Sequence, residues 1–149
     1  MRIKYFNLCE DSLESCKYVE TGEILISEDK LFTSKVGTCS ILMFSIGKKN
    51  IMAHIDAGIT KVEYLLSEIK NIFNDDEIKS IKEVFLILGP WCEDICYNDN
   101  LKCKCESIRI AKETLKNLNL LKKLKILEKN EASMKWETEV WFNGEIKIK

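Results

Sequence analysis

The sequence predicts a single α/β (α+β) domain, and three observations carry that reading. Apolar runs of strand length fill much of the first third and return at the C-terminus, while apolar residues spaced by three and four mark two helices between them. No linker, repeat or low-complexity tract interrupts the 149 residues, so one domain over 1–149 is expected. A hydrophobic share of 46% is enough for a core, and 32% charged residues are enough to cover it.

Residues 16–20 and 23–27 read as two short β runs broken at Thr21-Gly22. The apolar run 39–46, the polar turn Gly47-Lys48-Lys49-Asn50 and the run 51–56 read as a hairpin. Residues 60–73 are helical, with Val62, Leu65, Leu66, Ile69, Ile72 and Phe73 on one stripe and Thr60 with Glu63 as a capping box. The five apolar residues 84–88, ended by Gly89-Pro90, suit a strand buried on both faces. A second helix over 105–119 turns Ile108, Ala111, Leu115 and Leu118 to one side, and 125–128 reads as a strand. The clearest local signal is the last: 138–142, Asn143-Gly144 and 145–149 form a hairpin.

Charge excludes some functions. With 23 Lys+Arg against 24 Asp+Glu, there is no basic excess of the kind a nucleic-acid binder carries. No apolar run reaches the ~20 residues of a membrane span, and the first residues lack a signal-peptide core. A cytoplasmic setting with reduced thiols is therefore expected for the seven cysteines.

Chemistry gathers around the hairpin. His54 is the only histidine; Asp56 follows two residues later on the same strand face, and Cys39 stands just after Gly37-Thr38 in the preceding run. A cysteine nucleophile needs a base that takes its proton and later protonates the leaving group, and imidazole suits both tasks. If paired residue numbers in the hairpin sum to an odd value, His54 shares a face with Cys39. A two-residue turn at Lys48-Lys49 would leave them four residues apart along the sheet. Activation by His54 predicts a Cys39 pKa well below the roughly 8.5 of a free cysteine. Plainer roles are open to each residue: a core histidine, a strand-end threonine at Thr33, a turn aspartate at Asp56.

The segments 17–27 and 31–39, ending in Gly37-Thr38-Cys39, and then Met52-Ala53-His54, resemble the CheD family of chemotaxis-receptor glutamine deamidases. That family opens with a Gly-Glu strand, a Thr, a Gly-Ser-Cys six residues on, and an Ala-His in the next strand. The terminal hairpin from Val140 to Lys149 also looks like its closing strand pair. By position, the resemblance implies that Thr33, Cys39 and His54 are the catalytic threonine, cysteine and histidine. After the histidine the chain departs from the family. Ile55-Asp56-Ala57-Gly58, with Thr38-Cys39 and Leu86-Ile87-Leu88-Gly89, is more similar to protein N-terminal asparagine amidohydrolases. Both families belong, with the cytotoxic necrotising factor type of toxin, to one group of Cys-His hydrolases acting on carboxamides.

The resemblance implies a CheD-like domain of packed β-sheet layers with helices outside, and a hydrolase that deamidates glutamine in a protein substrate. Cys39 would attack the carboxamide carbon, His54 would move the proton, Thr33 would orient the imidazole or the substrate, and Asp56 and Thr38 would contact substrate. Asp56 could bind an amino group or fix the ring. The alternatives are N-terminal asparagine hydrolysis and a non-catalytic protein-binding module on the same fold. No cofactor is expected. Cys92, Cys96, Cys103 and Cys105 are spaced C-x3-C and C-x-C, a poor match to zinc knuckles, so no metal is expected and the cysteine-rich loop should be dispensable for chemistry. Trp91, Trp136 and Trp141 are expected in packing, with a cleft rim as the alternative for Trp91 after Pro90.

Overall fold

The computed structural model describes residues 15–91, 105–127 and 134–149. Two sheets and a helical layer stack in the order helices, five-stranded sheet, four-stranded sheet. Strands β1 (Cys16–Tyr18), β3 (Lys30–Thr33), β8 (Val140–Phe142) and β9 (Ile146–Ile148) form the smaller sheet in the order β1-β3-β8-β9. The larger runs β2-β5-β4-β6-β7, from β2 (Ile24–Ser27), β5 (Lys49–Ile55), β4 (Ser40–Ile46), β6 (Val84–Leu88) and β7 (Leu124–Ile126). The helices are α1 (Val62–Ile72), the short α2 (Asp75–Lys79) and α3 (Glu106–Asn117).

Alternation along β4 and β5 explains the layering. Leu42, Phe44, Ile46, Ile51, Ala53 and Ile55 belong to the core shared with Leu65 and Ile69 of α1 and with Ile108, Ala111 and Leu115 of α3. The intervening residues Ile41, Met43 and Met52 pack instead with Leu31, Val140 and Phe142 of the smaller sheet. A sheet covered on both faces favours apolar residues at successive positions, which accounts for the apolar runs at 41–44 and 84–88. Val84–Leu88 is central, antiparallel to β4 and parallel to β7.

Several local details differ from expectation. The β4–β5 turn is Gly47-Lys48, with Ile46 opposite Lys49, because Gly47 takes φ +59° at the first turn position. Thr60 does not cap α1; its hydroxyl accepts the Asp56 N–H at 3.0 Å, and Lys61 occupies the N-cap without a side-chain bond. The terminal hairpin forms with Phe142 opposite Ile146, so its loop spans three residues, and Asn143 accepts from the Asn50 side chain. Strand β3 and helix α2, whose Asn74 and Glu77 make a true capping box, are additions to the predicted elements. Cys16 is disulfide-bonded, against the expectation of reduced thiols, whereas Cys39 keeps a free thiol. Cys92, Cys96 and Cys103 lie outside the described residues. Among the described residues no helix is long and apolar enough to cross a membrane.

Candidate active site

Thr33, Cys39, His54 and Asp56 come together at one end of the gap between the two sheets. His54 is held by its backbone on both sides. Within the larger sheet it stands opposite Ile41 of β4, and on the other edge its N–H donates to the Glu23 carbonyl at 2.9 Å while its own carbonyl accepts from the Gly22 N–H at 2.8 Å. The Gly22-Glu23 pair at the start of β2 thus fixes the histidine strand. The imidazole points into the inter-sheet gap, where it is wholly buried.

Thr33, the last residue of β3, reaches across that gap. Its Oγ1 lies 2.7 Å from His54 Nδ1 and donates a hydrogen bond of 2.7 Å to the Val19 carbonyl. A hydroxyl has one proton to give, and a carbonyl can only accept. The Thr33 proton therefore goes to Val19, and Oγ1 must accept from Nδ1–H. In neutral imidazole this leaves the lone pair on Nε2, which is buried and has no hydrogen-bond partner among the described residues. Burial lowers the His54 pKa to about 4, with the charge of Asp56 opposing less strongly, so the ring is neutral at pH 7. It is a base with its proton-accepting nitrogen defined and unoccupied.

Cys39 sits just before β4, on the same sheet face and two residues from Ile41, the partner of His54. The hairpin sum is 95, odd as the shared face requires, and the pair are diagonal neighbours, closer than a turn at Lys48-Lys49 would have placed them. The β6 end holds the cysteine: Gly89 N–H donates to the Cys39 carbonyl at 3.0 Å, and Trp91 N–H to the Gly37 carbonyl at 3.3 Å. Only glycine fits at 89, since a Cβ there would stand 1.8 Å from the Gly37 oxygen. The segment is also fastened from the helical side, where the Ser107 hydroxyl donates to the Thr38 carbonyl at 2.8 Å. Thr38 contributes that carbonyl, while the residue is otherwise exposed.

The thiol itself faces Asp56. Cys39 Sγ donates to Asp56 Oδ2 at 3.5 Å, and the other carboxylate oxygen accepts the Gly58 N–H at 2.8 Å. Burial, then the charge of Asp56, then that hydrogen bond push the thiol pKa up to about 11, and a backbone hydrogen bond at Gly37 only partly offsets them. This reverses the expected depressed pKa. The resting pair is a neutral thiol and a neutral imidazole, because burial disfavours charge on both and the charged group acting on the sulfur among the described residues is the Asp56 carboxylate.

Trp91 and Trp136 flank this segment. They stack with centroids 5.1 Å apart and planes 4° from parallel, and the Trp91 ring lies directly on Gly37. Both are exposed, at 62% and 44%, so Trp136 is not in packing as expected. Trp141 is buried, stacked on Phe32. The parts that sequence reasoning missed are backbone groups: the Val19 carbonyl, and the Gly22, Glu23 and Gly89 contacts. The sequence signals were Gly22-Glu23 and the strand end Gly89-Pro90.

No protein-family model and no curated protein matches the chain.

Proposed function

We propose that the chain is a cysteine-dependent amidohydrolase of the cytoplasm that deamidates a glutamine side chain of a protein substrate. The observation that supports this reading most is the Val19–Thr33–His54 series. It commits Nδ1 and leaves Nε2 without a partner among the described residues, on the sheet face that carries Cys39. A histidine serving only the core would be expected to have both nitrogens satisfied. The ordered likeness of Thr33, Cys39 and His54 to the CheD family supports the same chemistry.

In the mechanism, the Cys39 thiol leaves Asp56 and passes its proton to His54 Nε2 as sulfur bonds to the carboxamide carbon. Nδ1–H stays on Thr33 and steadies the imidazolium through that step. His54 then returns the proton to nitrogen, the C–N bond breaks, and ammonia departs from a thioester. Water adds to the thioester, with His54 taking its proton; the C–S bond breaks and the proton returns to sulfur. The net change is carboxamide plus water to carboxylic acid plus ammonia. No outside oxidant or cofactor enters the balance.

A second reading, hydrolysis of N-terminal asparagine, is favoured by one observation, the Asp56 carboxylate beside the thiol. The deciding experiment is ammonia release from peptides with internal Gln, internal Asn or N-terminal Asn. Cys39→Ala is expected to abolish release while its melting curve stays close to wild type. Release by Cys39→Ala near the wild-type level would overturn Cys39 as the nucleophile, and no release by the wild-type chain would overturn the enzyme reading and return the fold to a binding module.

A further inference from the structure

Asp56 is an awkward neighbour for a nucleophile. A carboxylate against the thiol opposes the thiolate that attack requires, yet the fold builds it there with care. Its Oδ1 is fixed by Gly58 N–H, its backbone N–H by the Thr60 hydroxyl, and the Thr60 N–H closes the turn on the Asp56 carbonyl at 2.9 Å. By the hairpin sum, position 56 falls opposite 39, so the carboxylate is delivered to the sulfur by register. Among the described residues no lysine or arginine pairs with it. It is half-buried, open on the side where the exposed 57–59 turn meets solvent. On the same sheet face, the fully buried His54 Nε2 has no partner among the described residues, the Cys39 thiol included, so its capacity to accept a proton is unused.

We propose that Asp56 is a cation receptor that masks the nucleophile: it holds the Cys39 thiol until an ammonium or guanidinium group next to the scissile carboxamide takes the thiol's place on the carboxylate. The arriving cation removes the thiol's acceptor and cancels the nearby negative charge, and the sulfur is then free to turn to Nε2. Substrate charge thereby becomes part of the activation step. The substrate class is a carboxamide with a positive charge within a few ångströms, supplied by a free α-amine or by a neighbouring basic side chain. This rests on the amidohydrolase reading for its substrate, but not for the charge selection itself.

The test separates the two. The full chain is treated with methanethiosulfonate reagents bearing a trimethylammonium-ethyl or a sulfonatoethyl group, and labelling of Cys39 is followed by peptide mass mapping. After normalisation to a small free thiol, the cationic reagent is expected to label Cys39 at least about tenfold faster than the anionic one. Asp56→Asn, which keeps Oδ1 for Gly58, is expected to bring the ratio within about threefold of unity. A wild-type ratio near unity, or one unchanged in Asp56→Asn, overturns the proposal. A second arm uses wild-type protein alone, so a poorly folded variant cannot stall the question. Blank-corrected ammonia release is compared for the N-methylamides of Asn-Leu, acetyl-Asn-Leu, acetyl-Gln-Lys and acetyl-Gln-Leu. Faster release from Asn-Leu than from its acetylated form assigns the charge to an α-amine, and faster release from acetyl-Gln-Lys than from acetyl-Gln-Leu assigns it to a side chain. Equal release within both pairs overturns the proposal. Release from none of them counts against the amidohydrolase reading, while the labelling ratio still decides Asp56.

Discussion

At the scale of single residues, the site turns on one proton-donor decision, made by Thr33. Because its hydroxyl donates to Val19, Thr33→Val would strand a buried Nδ1–H, at a cost of about 1–3 kcal/mol, and free the ring to adopt the wrong tautomer. Turnover is expected to fall at least about tenfold, with Thr33→Ser recovering most of it; ammonia release and a melting curve on both variants check this. The second decision is Asp56 against Cys39. The pH profile of Cys39 alkylation should rise late, towards about 11, and move to lower pH in Asp56→Asn. Sequence alone supplied the residue types and a shared face of Cys39 and His54 conditional on an odd hairpin sum, and the register supplied that sum. Sequence did not supply the tautomer, which depends on a carbonyl 14 residues from Thr33, just past the end of β1. Nor did it supply the direction of the Cys39 pKa, which depends on burial and on which neighbour the sulfur touches.

At the scale of elements, long periodic segments and the short runs bounded by turn residues were legible, whereas β3 and α2 were not. Strands β4 and β6 and helices α1 and α3 announce themselves through spacing. Strand β3, four residues long, has too few positions to show a period, although it carries Thr33. The hairpin turn was displaced by one residue because the two lysines and the glycine are adjacent. That displacement alone doubled the expected separation of Cys39 and His54 along the sheet. Where backbones meet, tolerance is lowest. Gly89→Ala would press a methyl against the Gly37 carbonyl and break the Gly89–Cys39 hydrogen bond. A loss of several kcal/mol is expected, read by urea denaturation, together with loss of Cys39 labelling selectivity in whatever fraction folds.

At the scale of the whole molecule, the layered α+β architecture was readable because a sheet covered on both sides leaves unbroken apolar runs in the sequence. The inter-sheet core contains a titratable group, which links folding to pH. The unfolded chain binds a proton at His54 as the pH falls through about 6.5, and the native chain only near 4. Stability is complete above that window and is lost through it, by up to about 3 kcal/mol. Thermal melts from pH 7 to pH 4 should show this slope, and His54→Asn should flatten it relative to wild type.

The stacked indoles beside Gly37 have an optical consequence. Trp91 and Trp136 are exposed and coupled, and should fluoresce at long wavelength, whereas Trp141, buried against Phe32, should fluoresce at short wavelength. The red component arises against Gly37, two residues from the thiol, and the blue one from Trp141 on β8, stacked on Phe32. Anything seated over Cys39 should therefore change the ratio of the two colours, so the protein carries its own dye for occupancy of the site.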